Sequence, residues 1–298
     1  MLNLFQHDGW AGKRVVSKQA VVSARLCADI RAMILPTLFV PHGGGPCFFM
    51  DPDGGPPDPM WRKMQAYLAG LIDGLPERPR AILIVSGHWE EDVVTVHTGN
   101  GQPLLFDYYG FPEHTYRLRW DAPGAPDVAA RAKALIEGAG FPVGEESERG
   151  WDHGVFIPMK VAVPGADIPL VQLSLRKDLD PAAHIAIGRA LAPLRDEGVL
   201  IVGSGMSFHN LRVRGAQATG PSDEWDAALT DAVTDTDPVR RAERVAVWDA
   251  LPHAHFAHPR EEHLLPLMVA LGAGGEGKAV RDYADHVLGW KVSGYRFG

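Results

Sequence analysis

Cysteine is almost missing from this chain: Cys27 and Cys47 are the only two in 298 residues. Two cysteines cannot build a disulfide framework or a cysteine-rich zinc site, and a reducing cytoplasm is the default compartment. A surplus of basic charge is missing too. Lys and Arg number 29 against 37 Asp and Glu, a formal net charge of −8. That speaks against nucleic acid or an anionic membrane as partner, because both favour a basic patch. No apolar run reaches transmembrane length, and the first residues lack the apolar core and cleavage site of a signal peptide. Internal repeats, low-complexity tracts and obvious linkers are absent. None of these absences excludes a small-molecule substrate. With 46 % hydrophobic and 22 % charged residues, the chain has the composition of a globular protein with a sizeable core.

Residues 1–33 read as an N-terminal extension or a mis-assigned start. They scatter Lys13, Arg14, Lys18 and Arg25 among mixed residues, and the first convincing strand opens only after Met33. From residue 34 to 298, apolar runs alternate with helix-like segments. Residues 37–40, 81–85, 93–97, 168–175 and 199–202 are expected as strands. The runs at 81–85 and 199–202 are continuously apolar, as in strands covered on both faces. Helices are expected over 59–75, 125–139, 182–195, 222–233, 240–250 and 259–271, with starts at Pro126 and Asp180-Pro181 and stops at Gly138, Gly140 and Gly272. The pattern predicts a three-layer α/β/α domain with a mostly parallel, mixed central sheet.

Histidine placement carries the chemistry. His42 follows the run 37–41, His88 follows 81–87, and His209 follows 199–203 through a Gly/Ser-rich loop. Open α/β sheets build their sites at the carboxyl ends of their strands, so three imidazoles delivered there suggest a metal centre. Each has a plainer reading. His42 precedes Gly43-Gly44-Gly45, and such a loop could cradle a phosphate, although the usual strand–glycine–helix fingerprints are missing. His88, beside Trp89, could be a satisfied core histidine. His209 could be a ligand or an acid/base, since a neutral imidazole titrates near physiological pH. His153, in Gly150-Trp151-Asp152-His153-Gly154, reads as a loop residue that is either structural or in contact with substrate. Asp152 is not paired with it, because sequence neighbours rarely face each other. Between His253 and Leu267 ligand-type residues are dense. A helix opening at Pro259 would hold His263 at the border of an apolar face made by Leu264, Leu267, Met268 and Leu271. Glu261 and Glu262 are then competing ligands, or acidic residues favouring a helix start. His7, His97, His184 and His286 read as surface or packing residues. The nucleophile alternatives are weak: Ser204 and Ser207 lack the hydrolase elbow pattern, and Cys47 has no activating partner.

Six blocks of the sequence resemble one known family, the class III extradiol ring-cleavage dioxygenases (LigB-like), and most closely its DOPA 4,5-dioxygenase-like subgroup. They are LPTLFVPHGGGP from Leu35, SGHWE from Ser86, DYYGFP from Asp107, GWDHGVFIPM from Gly150, GSGMSFHN from Gly203 and HPREEHLLPL from His258. They occur in family order within residues 34–298, the expected catalytic domain. The resemblance implies a mononuclear non-haem metal held by His42, His88 and His263, with His209 as acid/base and His153 near substrate or oxygen. It implies a catechol and O2 as substrates. Iron(II) is expected for activity, and zinc suits three histidines with an open position as well. The glycine-rich loop departs from the commoner His-Gly-Ser-Pro form, which bears on the substrate rather than on the reaction class. The alternatives are a zinc-dependent hydrolase and a non-catalytic metal-binding relative.

Overall fold

In the computed structural model, residues 34–55 and 58–298 are described; the expectation for residues 1–33 lies outside them. The elements are β1 (Thr37–Pro41), α1 (Arg62–Ala69), β2 (Ala81–Glu91), β3 (Val94–His97), α2 (Pro126–Gly138), β4 (Val143–Glu146), α3 (His153–Ala162), β5 (Leu170–Arg176), α4 (Pro181–Leu191), β6 (Val199–Gly205), α5 (Ala216–Val233), α6 (Pro238–Ala246), α7 (Ala254–Ala257), α8 (Leu265–Gly274), β7 (Ala279–Val287) and β8 (Trp290–Phe297). Short 3₁₀ turns cover Glu113–Arg117, Ala192–Arg195 and Trp248–Ala250.

The eight strands form one sheet in the order β4-β3-β5-β2-β6-β1-β8-β7. The block β5-β2-β6-β1 is parallel throughout. Residues 81–87 of β2 and all of β6 are buried. Successive strand residues point to opposite faces, so unbroken burial means that both faces are covered, as the expected three-layer arrangement requires. On one edge β3 runs antiparallel to β5 and parallel to β4. On the other, the hairpin β7–β8 adds antiparallel to β1. Its two-residue turn, Leu288-Gly289, has both φ values positive (57° and 88°), the requirement of a tight hairpin turn matched to strand twist.

Four expectations are corrected. The strand carrying His88 does not end at Val85 but runs to Glu91, with its pairing to β5 broken between Val85 and Glu90. His88 therefore lies in the irregular stretch of a strand, where a broken ladder re-aims side chains. His153 is not a loop residue but the first residue of α3. The last helix opens at Leu265 rather than Pro259, leaving His263 in the preceding turn. Nor does that helix show one apolar face: every residue of α8 is buried, as expected of a helix that is hydrophobic all round. It packs on α4, β6 and β1. Among the described residues no helix is long and apolar enough to cross a membrane.

Candidate metal centre

Each histidine is delivered by a specific backbone arrangement. His42 leaves the end of β1, and its amide donates to the Gly205 carbonyl at 3.1 Å, continuing the β1–β6 ladder by one step. Gly43 then turns the chain with φ +83°; a Cβ there would collide with the Cys47 thiol. His209 lies beyond β6, where its backbone amide donates to Ala257 O (3.0 Å) and the side-chain Nδ2 of Asn210 donates to Phe256 O (2.7 Å), pinning the loop to α7. His263 sits in a turn closed against β6: Met206 N donates to His263 O at 3.0 Å. Gly205 makes this approach feasible, because a Cβ would strike that same carbonyl. At the start of α3, Trp151 is fully buried and exchanges two backbone bonds with the preceding loop, Leu105 N to Trp151 O (2.7 Å) and Trp151 N to Pro103 O (3.0 Å). The loop that carries Asp107 is thereby anchored beside His153.

The fold brings His42, His88, His153, His209 and His263 into one cluster. The rings of His42, His88 and His263 have centroid separations of 5.1, 5.2 and 4.8 Å. The Nε2 atoms of His88 and His263 are 3.3 Å apart. The His153 ring lies 3.9 Å from that of His88 and 5.5 Å from that of His42. His209 stacks on His263 with centroids 3.4 Å apart and planes at 18°. Donor atoms fall into two groups, each within 4.8 Å: His42, His88 and His153, and His209, Glu262 and His263. The expected triad takes two members from the first group and one from the second, and the 3.3 Å approach of His88 to His263 spans them.

The chemistry of this donor set fits a metal ion. His42 is 1 % exposed, yet among the described residues neither of its ring nitrogens has a hydrogen-bond partner. Burying a polar group without a partner costs free energy unless something else satisfies it. Burial, together with the neighbouring imidazoles, holds the pKa of His42, His88 and His263 well below the ordinary histidine value. They are thus neutral and keep a lone pair for a cation.

Two carboxylates stand behind the imidazoles. Asp107 Oδ1 accepts from the Nδ1 and the amide of His153 at 2.8 and 2.9 Å, while its Oδ2 faces His88 Nδ1 at 3.5 Å. Glu262 Oε1 lies 2.8 Å from His263 Nδ1 and 3.6 Å from His209 Nδ1. Burial pushes both carboxyls up, but the hydrogen bonds and the imidazole charges outweigh it, and both end below the usual carboxylate range. Glu262, weighed above as a ligand, lies on the Nδ1 side of His263, away from the His88–His263 contact. Arg260 ties this side to β2, with its fork on Glu90 at 2.6 and 2.5 Å and Nη1 3.3 Å from Glu262 Oε2.

Asp107 escapes a reading of the sequence, since its partner is 46 residues away. The only signal for it was its place in the block beginning at Asp107. Asp152 turns away from His153, as neighbours do. Its buried carboxylate accepts from Ser86 Oγ (2.8 Å), Gln172 Nε2 (2.6 Å) and Arg149 Nη1 (3.0 Å), and burial raises its pKa. The nucleophile alternatives are occupied elsewhere. Ser204 Oγ donates to Gly154 O, Ser207 Oγ accepts from Ser293 N (2.8 Å), and burial pushes the Cys47 thiol up to about 12. His97 and His184 are packing residues bonded to backbone, and His286 is a surface residue paired with Asp223. An aromatic wall flanks the cluster: the Tyr108 ring is 5.7 Å from His153 and packs with Phe111, Tyr116 and Phe156.

The family described as the catalytic LigB subunit of aromatic ring-opening dioxygenase matches residues 36–298. Dioxygenase tasH of Hapsidospora irregularis is 38 % identical over 294 residues, covering 91 % of this chain and 88 % of that protein. The 4,5-DOPA dioxygenase extradiol of Beta vulgaris is 39 % identical over 206 residues, 67 % of this chain and 75 % of the relative. Among solved structures, the uncharacterised protein JW3007 of Escherichia coli K12 superposes with a TM-score of 0.71 at 29 % identity, covering 89 % of this chain and all of that one.

Proposed function

The chain belongs to the family of the catalytic LigB subunit of aromatic ring-opening dioxygenases, and from that premise we propose that it cleaves the ring of a DOPA-like catechol with O2 at a single metal held by His42, His88 and His263. The observation that carries this reading is the convergence of three neutral imidazoles, His42 and His263 buried and His88 half-buried, with the ring of His42 unpartnered among the described residues. Iron(II) is the metal proposed for activity, and zinc the ion that the same donors would also accept. When bound, the metal supplies open coordination positions that bring the two catechol oxygens and O2 together.

The remaining roles belong to the protein. His209 is the acid/base. Its side chain is 19 % exposed, so an entering catechol hydroxyl can reach it, and its stacking on His263 keeps it beside the metal ligands. A neutral imidazole takes the catechol proton as substrate binds and can return it to the opening ring. His153, held by Asp107, hydrogen-bonds the substrate or oxygen. The aromatic wall around Tyr108 shields that side from water. The scarcity of cysteine favours the cytoplasm.

Oxygen uptake tests the proposal. The protein is loaded anaerobically with iron(II) and offered DOPA, caffeate and protocatechuate. Stoichiometric uptake with a yellow ring-opened product supports extradiol cleavage and ranks the substrates. No uptake by folded, iron-loaded protein overturns it in favour of a zinc hydrolase or a binding protein.

A further inference from the structure

Each carboxylate of the site joins one imidazole of the triad to one imidazole outside it, but the two do so with opposite emphasis. Asp107 holds the outside residue closely, with His153 Nδ1 at 2.8 Å, and the triad member loosely, with His88 Nδ1 at 3.5 Å. Glu262 does the reverse, with His263 Nδ1 at 2.8 Å and His209 Nδ1 at 3.6 Å. At 2.8 Å a hydrogen bond fixes ring orientation, whereas beyond about 3.5 Å only a weak electrostatic pull remains. We propose that Glu262 and Asp107 divide the positioning of the centre, Glu262 setting the metal ligand His263 and Asp107 setting the reacting-side imidazole His153. This rests on the triad of the proposed function.

The physical argument is tautomeric. A carboxylate only accepts, so the ring nitrogen facing it carries the proton. In a neutral imidazole the proton on Nδ1 leaves the lone pair on Nε2, and the Nε2 of His263 is the atom that meets the Nε2 of His88. Outer partners of this kind orient a ligand and raise its basicity. Asp107 does the same for His153 and is itself held, because it also accepts the first amide of α3. Its grip on His153 is therefore rigid, and its side of the site responds differently from the other when a carboxylate is lost.

The test compares Glu262→Leu and Asp107→Leu, whose side chains accept no hydrogen bond, with the native chain in two measurements. Calorimetric titration of the metal-free protein with Co(II) alone reads the ligand side. Histidine ¹⁵N shifts of the metal-free protein read the tautomers. Glu262→Leu is expected to weaken Co(II) binding about 10–100-fold and to release the Nδ1–H form of His263. Asp107→Leu is expected to leave Co(II) affinity within about threefold, the scale of a lost loose contact, while releasing the Nδ1–H form of His153. Glu262→Asp and Asp107→Glu, which keep the carboxylate, should restore the native tautomers in part. An unchanged His263 tautomer in Glu262→Leu or an unchanged His153 tautomer in Asp107→Leu overturns the proposal, as does equal loss of Co(II) affinity in both. If the native chain itself binds no Co(II), the triad has failed, and the tautomer shifts alone decide what the carboxylates do. Each variant reads its own carboxylate, so misfolding of one leaves the other decisive.

Discussion

The two flanks of the histidine cluster are built from similar parts and behave as opposites. On the β2–α3 flank, His88 lies in an irregular strand stretch and His153 opens a helix, with Asp107 reaching in from a loop anchored on Trp151. On the β6–α8 flank, His209 and His263 occupy a loop and a turn, and their carboxylate, Glu262, is the residue next to His263. The first flank takes its geometry from a broken strand ladder, a helix start and a distant acid. The second takes it from close backbone contact, a glycine at 205 and an acid in its own turn. His42 stands between them, and among the described residues neither of its ring nitrogens has a hydrogen-bond partner. Imidazoles of equal chemistry thus acquire different surroundings from what stands behind them.

The largest effects should separate ligands from proton-handling residues across the two flanks. His88→Ala is expected to abolish specific metal binding, whereas His209→Ala should keep the metal and lose roughly 10²–10⁴-fold in turnover, the usual contribution of a positioned acid/base. Metal content by elemental analysis beside initial rates decides it, and equal metal loss in both would erase the distinction.

A smaller effect concerns acid. His258, buried on the β6–α8 flank with its Nε2 3.0 Å from the Ser207 carbonyl, has its pKa lowered by burial to about 4. Its folded value lies below the ordinary one of about 6.5, so the unfolded chain binds the proton first. The stability it contributes is complete above pH 6.5 and is lost as pH falls toward 4, about 3 kcal/mol in all. His42, His88 and His263 act with the same sign in the metal-free protein. On the other flank Asp152 acts with the opposite sign, because its raised carboxyl favours the folded state in acid. Denaturant unfolding at pH 7 and pH 5 should show the loss, and His258→Gln should flatten it; a slope unaltered by that substitution would sink the assignment.

The smallest effect is local. Gly205→Ala forces the His263 turn away from β6, at about 1–3 kcal/mol for overpacking a tight contact. It should weaken Co(II) binding while leaving the His153 tautomer native. A change confined to His153 would mean that the flanks are coupled more tightly than their separate backbones suggest.

Much of the fold was legible because burial on both faces demands continuous apolar runs, and those at 81–85 and 199–202 announce central parallel strands. The antiparallel edge was not. In β7 the residues Arg281, Asp282, Asp285 and His286 break up the apolar signal, a register shift between Arg281 and Tyr283 disturbs the alternation, and the turn uses Leu288-Gly289 rather than an Asn-Gly pair. Strand β4 (Val143–Glu146) is short, half-exposed and ends in two glutamates. The start of the last helix was not legible, because Pro259 can open a helix as well as Pro266 can, and only the buried packing of α8 selects the second.

At the site, the sequence by itself determined which residue types stand at the ends of the central strands, and its six blocks determined the family. Only the tertiary structure decided which nitrogen of His88, His153, His209 and His263 meets an acid. That choice depends on a contact between residues 107 and 153 and on the direction in which the Glu262 side chain leaves its turn. A sequence records order along the chain, whereas the orientation of a ring is set by partners that the fold brings to it from elsewhere.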